Sequence, residues 1–368
     1  MKNFLKIIFT NIGILIALLI FLNIATISAY KLRGLIKKDV SDLRADLPNY
    51  NGLKWAKNHF KELSNLETNY SSFIGWRRNE FVGKTININS EGIRKTIQNE
   101  KITDTSKVAI FLGSSLIWGT GVNDSTTIPS YFSKYSSGKF YTYNFGESEY
   151  SPYQSLLMLK IKLKQGYNPD LVISYDGPNL MFSLIEGNDI YSHSRENQIK
   201  NILTNYIKYD NTKIFSFYDF FIKKPEIFIK SFYNKYYNKK KNKFYEDHDK
   251  IKNVATFLCD VWLETYNLCK ENNSKFLAVL AQNYSIGNPN LSHLNIDNSN
   301  NVYPLLYNEI KKILYSDDKY TNLSENILIL EDEMFSTDEY FYIDSSHISP
   351  NGNSLIAKNI YEKIKKIF

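Results

Sequence analysis

The chain has 368 residues, of which 43% are hydrophobic and 23% are charged, and its formal net charge is +7. This length suits one large domain or two smaller ones, and the composition is typical of a globular protein and not of a disordered one. The positive charge does not indicate nucleic-acid binding, because we find no basic domain with a recognisable nucleic-acid-binding module.

The N-terminal segment from Ile7 through Tyr30 has no charged residue and is strongly apolar. As a helix it is roughly 36 Å long, which is enough to span a bilayer with some tilt. We interpret residues 1–30 as a membrane anchor. The alternative is a cleaved signal peptide, since Ser28 and Ala29 are small. Basic residues flank the segment on both sides, so the positive-inside rule gives no firm orientation.

Residues 31–105 are polar and mixed, without a glycine-rich or proline-rich linker. Short alternating segments and turn signals within residues 70–96 predict an ordered N-terminal arm that packs on the main domain. Three arginines of this arm, Arg77, Arg78 and Arg94, either face an anionic ligand or form surface ion pairs.

From residue 108 onward, strand-like and helix-like segments alternate along the chain. Short apolar runs predict strands at residues 108–112, 140–144, 171–175, 276–280 and 327–330. Helical spacing predicts helices at residues 151–164, 253–271 and 353–367. The first of these helices has Ser151 as its predicted N-cap and Pro152 at its first position. The alternation predicts a three-layer α/β/α domain over residues 106–368, with a parallel sheet of about five strands.

Residues 185–250 interrupt this alternation with a segment rich in aromatic residues and lysines. Three interpretations are open: a helical cap over the active site, a membrane-surface segment, or a solvated insertion with an aromatic inner face. The cap is favoured, because an insertion after the third strand lies at the ligand-binding edge of the sheet.

A candidate nucleophile follows the first predicted strand. The apolar run 108–112 leads into Gly113 and Ser115, and the residues after them can start a helix. Glycine allows the sharp turn at this junction. Ser115 is therefore expected at the carboxyl edge of the sheet, where ligands bind, beside a helix N-terminus that favours negative charge.

Serine chemistry also needs a base and a group that orients the base. Asp344 precedes His347 by three residues, near the last strand-to-helix connection. In a tight turn the carboxylate can meet one ring nitrogen while the other nitrogen faces the serine. By itself the spacing is a weak signal, since a surface turn whose aspartate caps a helix has the same pattern.

Two further turns at predicted strand ends hold candidate donors for an oxyanion. Asn179 follows the strand at 171–175 and can offer its side-chain amide, and Gly146 follows the strand at 140–144 and can offer its backbone N–H. An ordinary turn asparagine is the alternative for Asn179. The joint occurrence of candidate groups at successive strand ends is much less expected by chance than the occurrence of any one group alone.

From the first predicted strand to the C-terminus, the chain resembles the SGNH (GDSL-type) hydrolase family. The segment GSSLIWG, residues 113–119, is similar to the first block of that family, with Ser115 at the nucleophile and a serine in place of the usual aspartate. The segment GPN ending at Asn179 is similar to the third block, whose following aspartate is a leucine here. Asp344 and His347 match the Asp-x-x-His of the fifth block.

This resemblance implies the flavodoxin-like SGNH hydrolase fold and a role for each matching residue. Ser115 is the implied nucleophile, His347 the base and then the acid, and Asp344 the group that orients His347. The implied oxyanion donors are the Asn179 amide, the Ser115 N–H and a loop N–H. No metal or organic cofactor is expected.

The second block departs from the family pattern. Its oxyanion glycine lies five residues after the strand-end asparagine, and Glu149 occupies that position here. Glutamate disfavours the positive φ that glycine allows, and its carboxylate opposes a developing oxyanion unless it turns away. Gly146 is the nearest alternative donor. The loss of one donor costs about 10²–10³ in rate.

Membrane-anchored relatives in this family often act on acetyl groups of cell-envelope or exported glycans. We therefore expect a serine esterase or deacetylase that acts on an O-acylated, and specifically O-acetylated, saccharide. It is expected to be a single-pass membrane protein with an extracytoplasmic catalytic domain and no nucleic-acid partner. The alternatives are an acyltransferase with the same triad and a catalytically inactive, membrane-tethered glycan-binding protein.

Overall fold

The fold is taken from a computed structural model, which describes residues 2–39, 42–181, 190–210, 247–296, 302–330 and 335–367. The chain divides into two compact units, Met1–Ser41 with Arg195–Asn242 and Asp42–Ser194 with Lys243–Phe368. The aromatic and lysine-rich residues 211–246 of the predicted insertion lie outside the described residues, so the three interpretations of that insertion stay predictions.

The helices are α1 Lys2–Asp39, α2 Ala56–Ser64, α3 Ser115–Trp118, α4 Ile128–Tyr135, α5 Pro152–Lys164, α6 Glu196–Asp210, α7 His248–Glu271, α8 Tyr303–Ser316, α9 Thr321–Ser324 and α10 Pro350–Ile367. The strands are β1 Thr68–Ser71, β2 Gly75–Arg78, β3 Phe81–Val82, β4 Asn87–Ile88, β5 Lys107–Gly113, β6 Phe140–Asn144, β7 Leu171–Asp176, β8 Lys275–Leu280 and β9 Ile327–Ile329. Short 3₁₀ turns occur at Leu43–Asp46, Pro48–Tyr50, Asp124–Thr126, Pro178–Met181 and Asp318–Tyr320.

The first unit contains the predicted anchor. Helix α1 is long and apolar enough over Lys2–Ala29 to cross a bilayer, and a signal sequence near an N-terminus has the same properties. The helix continues to Asp39, beyond the boundary at residue 30 that the sequence predicts. The second described helix of this unit is α6.

The second unit is built on a parallel sheet of five strands in the order β6-β5-β7-β8-β9. Each neighbouring pair is parallel, and in the register Ile110 lies opposite both Tyr143 and Val172. The chain runs from β5 outward to β6 and then returns to the other side of β5, where β7, β8 and β9 follow. In sheets of this kind, ligands bind outside the carboxyl ends of the strands at the point where the strand order reverses. The five predicted strands and the parallel α/β architecture are confirmed.

Helices cover both faces of this sheet. Because side chains alternate along a strand, Ile110 and Leu112 face one side, where α5, α7 and α8 pack. Ala109 and Phe111 face the other side, where α4 and α10 pack. The three-layer α/β/α prediction is therefore confirmed, and the strands are apolar on both faces because both are buried.

Helix α5 shows how the local sequence sets an element's start. The Ser151 hydroxyl accepts from the Gln154 N–H while the Gln154 side chain accepts from the Ser151 N–H, which forms a capping box. Pro152 occupies the first helical position, where its missing N–H costs nothing. The chain leaves this helix through Gly166, whose φ is +92°.

The N-terminal arm, residues 42–105, belongs to the same compact unit as the sheet. It contains α2 and the antiparallel pairs β1–β2 and β3–β4. The predicted boundary between an arm and a main domain at residue 105 stays a prediction, although no division of the unit falls there.

Arg94 ties the arm to the nucleophile segment. Its side chain is completely buried and pairs with Asp124, Nε to Oδ1, at 3.1 Å. The other guanidinium nitrogens donate to the carbonyls of Trp118, Gly119 and Val122 at 2.6–2.9 Å. Burial lowers the pKa of Arg94 to about 10, so the group stays charged near neutral pH. Neither a surface ion pair nor a ligand contact, the two alternatives from the sequence, describes this arginine.

The two other arm arginines also point inward. Arg77 donates to the carbonyls of Phe145 and Gly92 at 3.1 and 2.6 Å. The Arg78 guanidinium pairs with the fully buried Glu147 at 2.5 Å, and the Arg78 N–H donates to the same carboxylate at 3.0 Å. These arginines replace an apolar interface with hydrogen bonds to loop groups that have no ladder partner.

Replacement of Arg94 by leucine is expected to lower the free energy of unfolding by about 3–5 kcal/mol. The change leaves the buried Asp124 carboxylate and three carbonyls without their cation. Chemical denaturation of the full chain in detergent measures the loss. Lys95→Leu, an exposed neighbour, is the control and is expected to change stability by less than about 0.5 kcal/mol. A loss below 1 kcal/mol in Arg94→Leu contradicts the role given to this arginine.

His59 on α2 predicts acid sensitivity of the arm. The ring is fully buried, in edge contact with Trp55 and Phe60, and neither of its nitrogens has a hydrogen-bond partner among the described residues. Burial lowers the pKa of His59 well below its usual value, and the nearby Arg94 and Arg44 act in the same direction. The unfolded chain therefore takes up a proton near pH 6.5 that the folded chain refuses.

Stability is accordingly expected to fall as the pH drops below about 6.5, by up to about 1.4 kcal/mol per pH unit from this group. Thermal unfolding of wild type and His59→Phe between pH 7.5 and 5 measures the effect. The difference between the two isolates His59, because other titrating groups contribute equally to both. Parallel pH curves for the two proteins contradict the prediction.

Candidate active site

Ser115 lies on a sharp turn between β5 and α3. Gly113 at the end of β5 has a φ of +149°, and a Cβ there would lie 2.7 Å from the Tyr175 carbonyl oxygen of the neighbouring strand. Only glycine fits this turn without strain. Ser114 is the N-cap, and Ser115 is the first residue of the four-residue helix. Its N–H therefore has no acceptor within the helix, and its side chain stands at the carboxyl edge of the sheet.

His347 reaches this serine from a turn near the start of α10. Its Nε2 lies 2.8 Å from the Ser115 Oγ. A short antiparallel bridge between Tyr342 and Ile348 closes the base of the turn. The Ile343 N–H donates to the His347 carbonyl at 2.9 Å. These backbone bonds set the position of the imidazole ring, so the contact with Ser115 does not depend on the side chain alone.

Asp344 accepts four hydrogen bonds within the turn. His347 Nδ1 lies 2.8 and 2.9 Å from its two oxygens. The backbone N–H groups of Ser346 and His347 donate to Oδ1 at 2.9 and 2.8 Å. Burial alone would raise the pKa of Asp344, but the bonds from His347 and Ser346 hold it well below its usual range. The ionised carboxylate keeps the imidazole proton on Nδ1, which leaves Nε2 free to accept from Ser115.

Arg44 also contacts Asp344, and sequence reasoning missed it. Its Nη1 donates to Asp344 Oδ2 at 2.7 Å across 300 positions of the sequence. Asp42 binds the same guanidinium on its other side, at 2.7 Å from Nη2. A single arginine in a polar segment carries no periodic or motif signal, so nothing in the sequence points to this contact.

Asn179 lies on the 3₁₀ turn after β7. Its Nδ2 donates to the Tyr150 carbonyl at 3.4 Å, a long bond that engages one of the two amide hydrogens. The Tyr303 hydroxyl holds the same turn by donating to the Pro178 carbonyl at 2.7 Å. Both contacts fix the turn beside the loop that follows β6. The sequence predicts an oxyanion role for Asn179, and that role stays a prediction.

The loop after β6 contains both alternative donors to the oxyanion, Gly146 and Glu149. The Gly146 N–H donates to the Asn144 side chain at 3.1 Å, and a Cβ at Gly146 would lie 2.5 Å from the Trp118 nitrogen. This glycine therefore serves the close packing of the loop on α3. Its N–H donates to Asn144 in this structure, and its role as an oxyanion donor stays a prediction.

Glu149 adopts the left-handed backbone conformation, which the family resemblance predicts only for a glycine at this position. Its φ is +67°. One carboxylate oxygen accepts from the Ser194 hydroxyl at 3.4 Å, so the side chain is directed to the 190–194 segment. The backbone thus takes a conformation that costs about 1–2 kcal/mol for a residue with a Cβ, and the oxyanion role of Glu149 stays a prediction.

Asp176, which ends β7, is a buried carboxylate outside the Ser115–His347–Asp344 set. It accepts from the Ser174 hydroxyl at 2.6 Å and from the Trp262 indole N–H at 2.8 Å. Burial raises the pKa of Asp176 to about 6. These two bonds direct the carboxylate to Trp262 on α7, so its role is to hold β7 against that helix.

No group of three or more histidine, cysteine, aspartate or glutamate side chains suited to a metal ion occurs within the described part of the chain. Cys259 and Cys269 are free and buried on α7. Burial raises the pKa of each thiol to about 12, so neither is a reactive thiolate near neutral pH.

No protein-family model matches the sequence, and no curated protein matches it. Solved structures do show a likeness. An acetyl xylan esterase, AlAXEase, is 14% identical with a TM-score of 0.40 over 70% of this chain and 99% of its own. A putative arylesterase from Agrobacterium tumefaciens is 12% identical with a TM-score of 0.40 over 71% of this chain and 100% of its own.

A GDSL-like lipase from Bacteroides thetaiotaomicron is 12% identical, with a TM-score of 0.40 over 73% of this chain and 92% of its own. Likeness at this level does not decide an activity, so the function proposed below rests on the geometry around Ser115. The chain is thus a three-layer α/β/α protein, similar to solved GDSL-type esterases and lipases, with Ser115, His347 and Asp344 in hydrogen-bond contact at the carboxyl edge of its sheet.

Proposed function

We propose that the chain is a serine hydrolase of the SGNH type that cleaves ester bonds. The observation that supports it is the unbroken series of hydrogen bonds from Ser115 Oγ through His347 to Asp344, each 2.8 Å long. A nucleophile, its base and the group that orients the base are the parts that acyl transfer requires. A serine and a histidine with a purely structural role would not need to lie, hydrogen-bonded to each other, at the ligand-binding edge of the sheet.

The reaction proceeds in two steps. As Ser115 Oγ attacks the acyl carbon, His347 Nε2 takes the serine proton, and the imidazolium keeps its Nδ1–H bond to Asp344. His347 then gives that proton to the leaving alcohol oxygen, which frees the alcohol and leaves an acyl-serine. In the second step His347 takes a proton from water and the resulting hydroxide attacks the acyl carbon. As the Ser115–acyl bond breaks and the carboxylic acid leaves, His347 returns the proton to Ser115 Oγ, which restores both residues.

Three N–H groups are the proposed donors to the oxyanion: the Ser115 N–H, the Asn179 side-chain amide and the Glu149 N–H. The first has no acceptor within its helix, and the second retains a hydrogen beyond its long bond to Tyr150. The third lies on a residue with positive φ, the conformation in which glycine usually presents this N–H. Each donor contributes about 10²–10³ in rate.

The proposed substrate is an O-acetylated saccharide of the cell envelope or an exported glycan. The basis is the sequence resemblance to membrane-anchored SGNH relatives, together with the apolar helix α1 as an anchor. The same acyl-serine can pass its acyl group to a sugar hydroxyl in place of water, so acyl transfer is the second outcome that the substrate test distinguishes. The catalytic domain is placed outside the cytoplasm in this proposal.

Labelling by a fluorophosphonate probe tests the proposed enzyme. Wild type in detergent is expected to be labelled and Ser115→Ala is not, because the probe reacts only with an activated serine. His347→Ala is expected to slow labelling by roughly 10³–10⁶-fold. Ser114→Ala is the matched control, an adjacent serine whose hydroxyl makes no cap bond, and it should keep its labelling.

Equal labelling of wild type and Ser115→Ala, or none in folded wild type, contradicts the proposal and leaves a binding protein. An acetylated oligosaccharide then separates the two reactions of an active enzyme. Free acetate indicates hydrolysis, whereas acetyl recovered on an added acceptor sugar indicates transfer.

Replacement of Glu149 by glycine is expected to raise kcat on a model acetyl ester by up to about tenfold, which is about 1.4 kcal/mol of transition-state energy. Glycine removes the negative charge from the loop that carries the proposed N–H donor and also removes the cost of the positive φ. Stability should change little, because glycine also gains freedom in the unfolded chain.

Glu149→Gln is the matched variant, since it removes the charge and keeps the backbone conformation. A gain in both variants assigns the effect to the charge, and a gain in glycine alone assigns it to the backbone. A fall of kcat in Glu149→Gly with unchanged folding contradicts the proposed place of this loop in the oxyanion site.

A further inference from the structure

Arg44 stands apart from every residue that the resemblance assigns to the site. It lies on the 3₁₀ turn Leu43–Asp46, whose N-cap is Asp42. The segment is polar, and no motif marks it. Its guanidinium nonetheless donates to Asp344, the residue that orients the proposed base, at 2.7 Å.

Three independent contacts dock this turn and the next against the Asp344–His347 turn. The Asn49 amide donates to the carbonyls of Tyr340 and Tyr342. Ile343, directly before Asp344, is buried in a cluster with Tyr50 and Phe60 of the arm. The arm therefore holds the backbone that carries Asp344, and Arg44 adds a charged contact to the carboxylate itself.

The guanidinium is held in a fixed orientation. Asp42 accepts from Arg44 Nε and Nη2 at 3.0 and 2.7 Å, and its carboxylate also accepts from the Arg44 N–H at 3.0 Å. The Arg44 guanidinium carbon lies 5.1 Å from the centre of the Phe60 ring. Side-chain exposure is 28% for Arg44 and 30% for Asp344, so solvent screens the pair only in part. A two-sided clamp of this kind gives geometric specificity beyond that of a free surface pair.

We propose that Arg44 is a positioning residue for the hydrolase function proposed above: its guanidinium fixes the orientation of the Asp344 carboxylate that bonds to His347 Nδ1 and balances part of its charge, so that removal of Arg44 favours a protonated imidazole. Its contact is with Asp344 and not with the reacting atoms. The inference rests on the proposed function for its consequence in catalysis, while the effect on His347 is measurable without turnover.

The sign follows from the charges around the imidazole. The charged or titratable side chains that face Asp344 are His347 in its own turn and Arg44, Asp42 and Tyr50 from the arm. Burial raises the pKa of Tyr50 well above its usual value, so it stays neutral. Without Arg44, the carboxylates of Asp42 and Asp344 remain with no cation between them, and both favour a protonated imidazole.

The test is the pH dependence of His347 in the full-length chain in detergent. Histidine labelled with ¹⁵N gives two ring-nitrogen signals for each of the five histidines of the chain, and His347→Gln identifies the relevant pair. In Arg44→Gln the midpoint of their titration is expected to rise by about 0.5–1 pH unit. The acid limb of the kcat/KM profile on a model acetyl ester is expected to move by the same amount, because it reports the free base.

Three variants separate charge from folding. Arg44→Lys keeps the charge without the two-sided clamp and should shift the midpoint less than Arg44→Gln. Asp42→Asn combined with Arg44→Gln removes both opposite charges and should also shift it less. Lys57→Gln is the matched control, because it removes one positive charge from the same arm at an exposed pair with Asp46 and is expected to leave the midpoint unchanged.

An Arg44→Gln midpoint within about 0.2 pH unit of wild type overturns the inference, and ester hydrolysis by wild type then still supports the proposed function. A shifted midpoint in a chain whose Ser115 does not react supports the positioning role and overturns the proposed function. If Arg44→Gln is unstable, Arg44→Lys replaces it in the test: a midpoint above that of wild type supports the two-sided clamp, and a midpoint equal to that of wild type overturns it.

Discussion

The site depends on how a one-turn helix satisfies its backbone. Helix α3 has four residues, so its terminal carbonyls find few partners within it. The Arg94 guanidinium donates hydrogen bonds to the carbonyls of Trp118 and Gly119. The Asn144 amide donates to the carbonyl of Ile117 at 2.8 Å. Because Ser115 begins this helix, these side chains from the arm and from β6 hold Ser115 in place. The position of its side chain is thus a consequence of buried hydrogen bonding.

The sheet and the grouping of Ser115, His347 and Asp344 could be predicted from the sequence for a simple reason. A strand buried on both faces is largely apolar, as residues 108–112 and 171–173 are, and such runs are visible without any tertiary information. Parallel strands then bring their carboxyl ends to one edge, which groups Ser115 with the residues after the other strands. Asp344 and His347 are close in sequence, so their contact is local.

The remaining contacts of the site could not be predicted from the sequence, because the partners in them are backbone groups or distant side chains. Arg94 binds carbonyls, which every residue has, so its sequence neighbourhood does not reveal them. Arg44 meets its partner Asp344 across 300 positions of the sequence. Glu149 departs from the expected preference for glycine, since its φ is +67°. Local rules fail where tertiary contacts override them.

Ser115 and His347 are separated by 232 positions, and their contact closes one of the longest loops in the chain. During synthesis the Ser115 hydroxyl is made long before the His347 ring, so a growing polypeptide cannot form this contact. Loops of this length close slowly, and only after the intervening strands have paired. The contact between Ser115 and His347 is therefore a late event in maturation, which occurs when the β-sheet is complete.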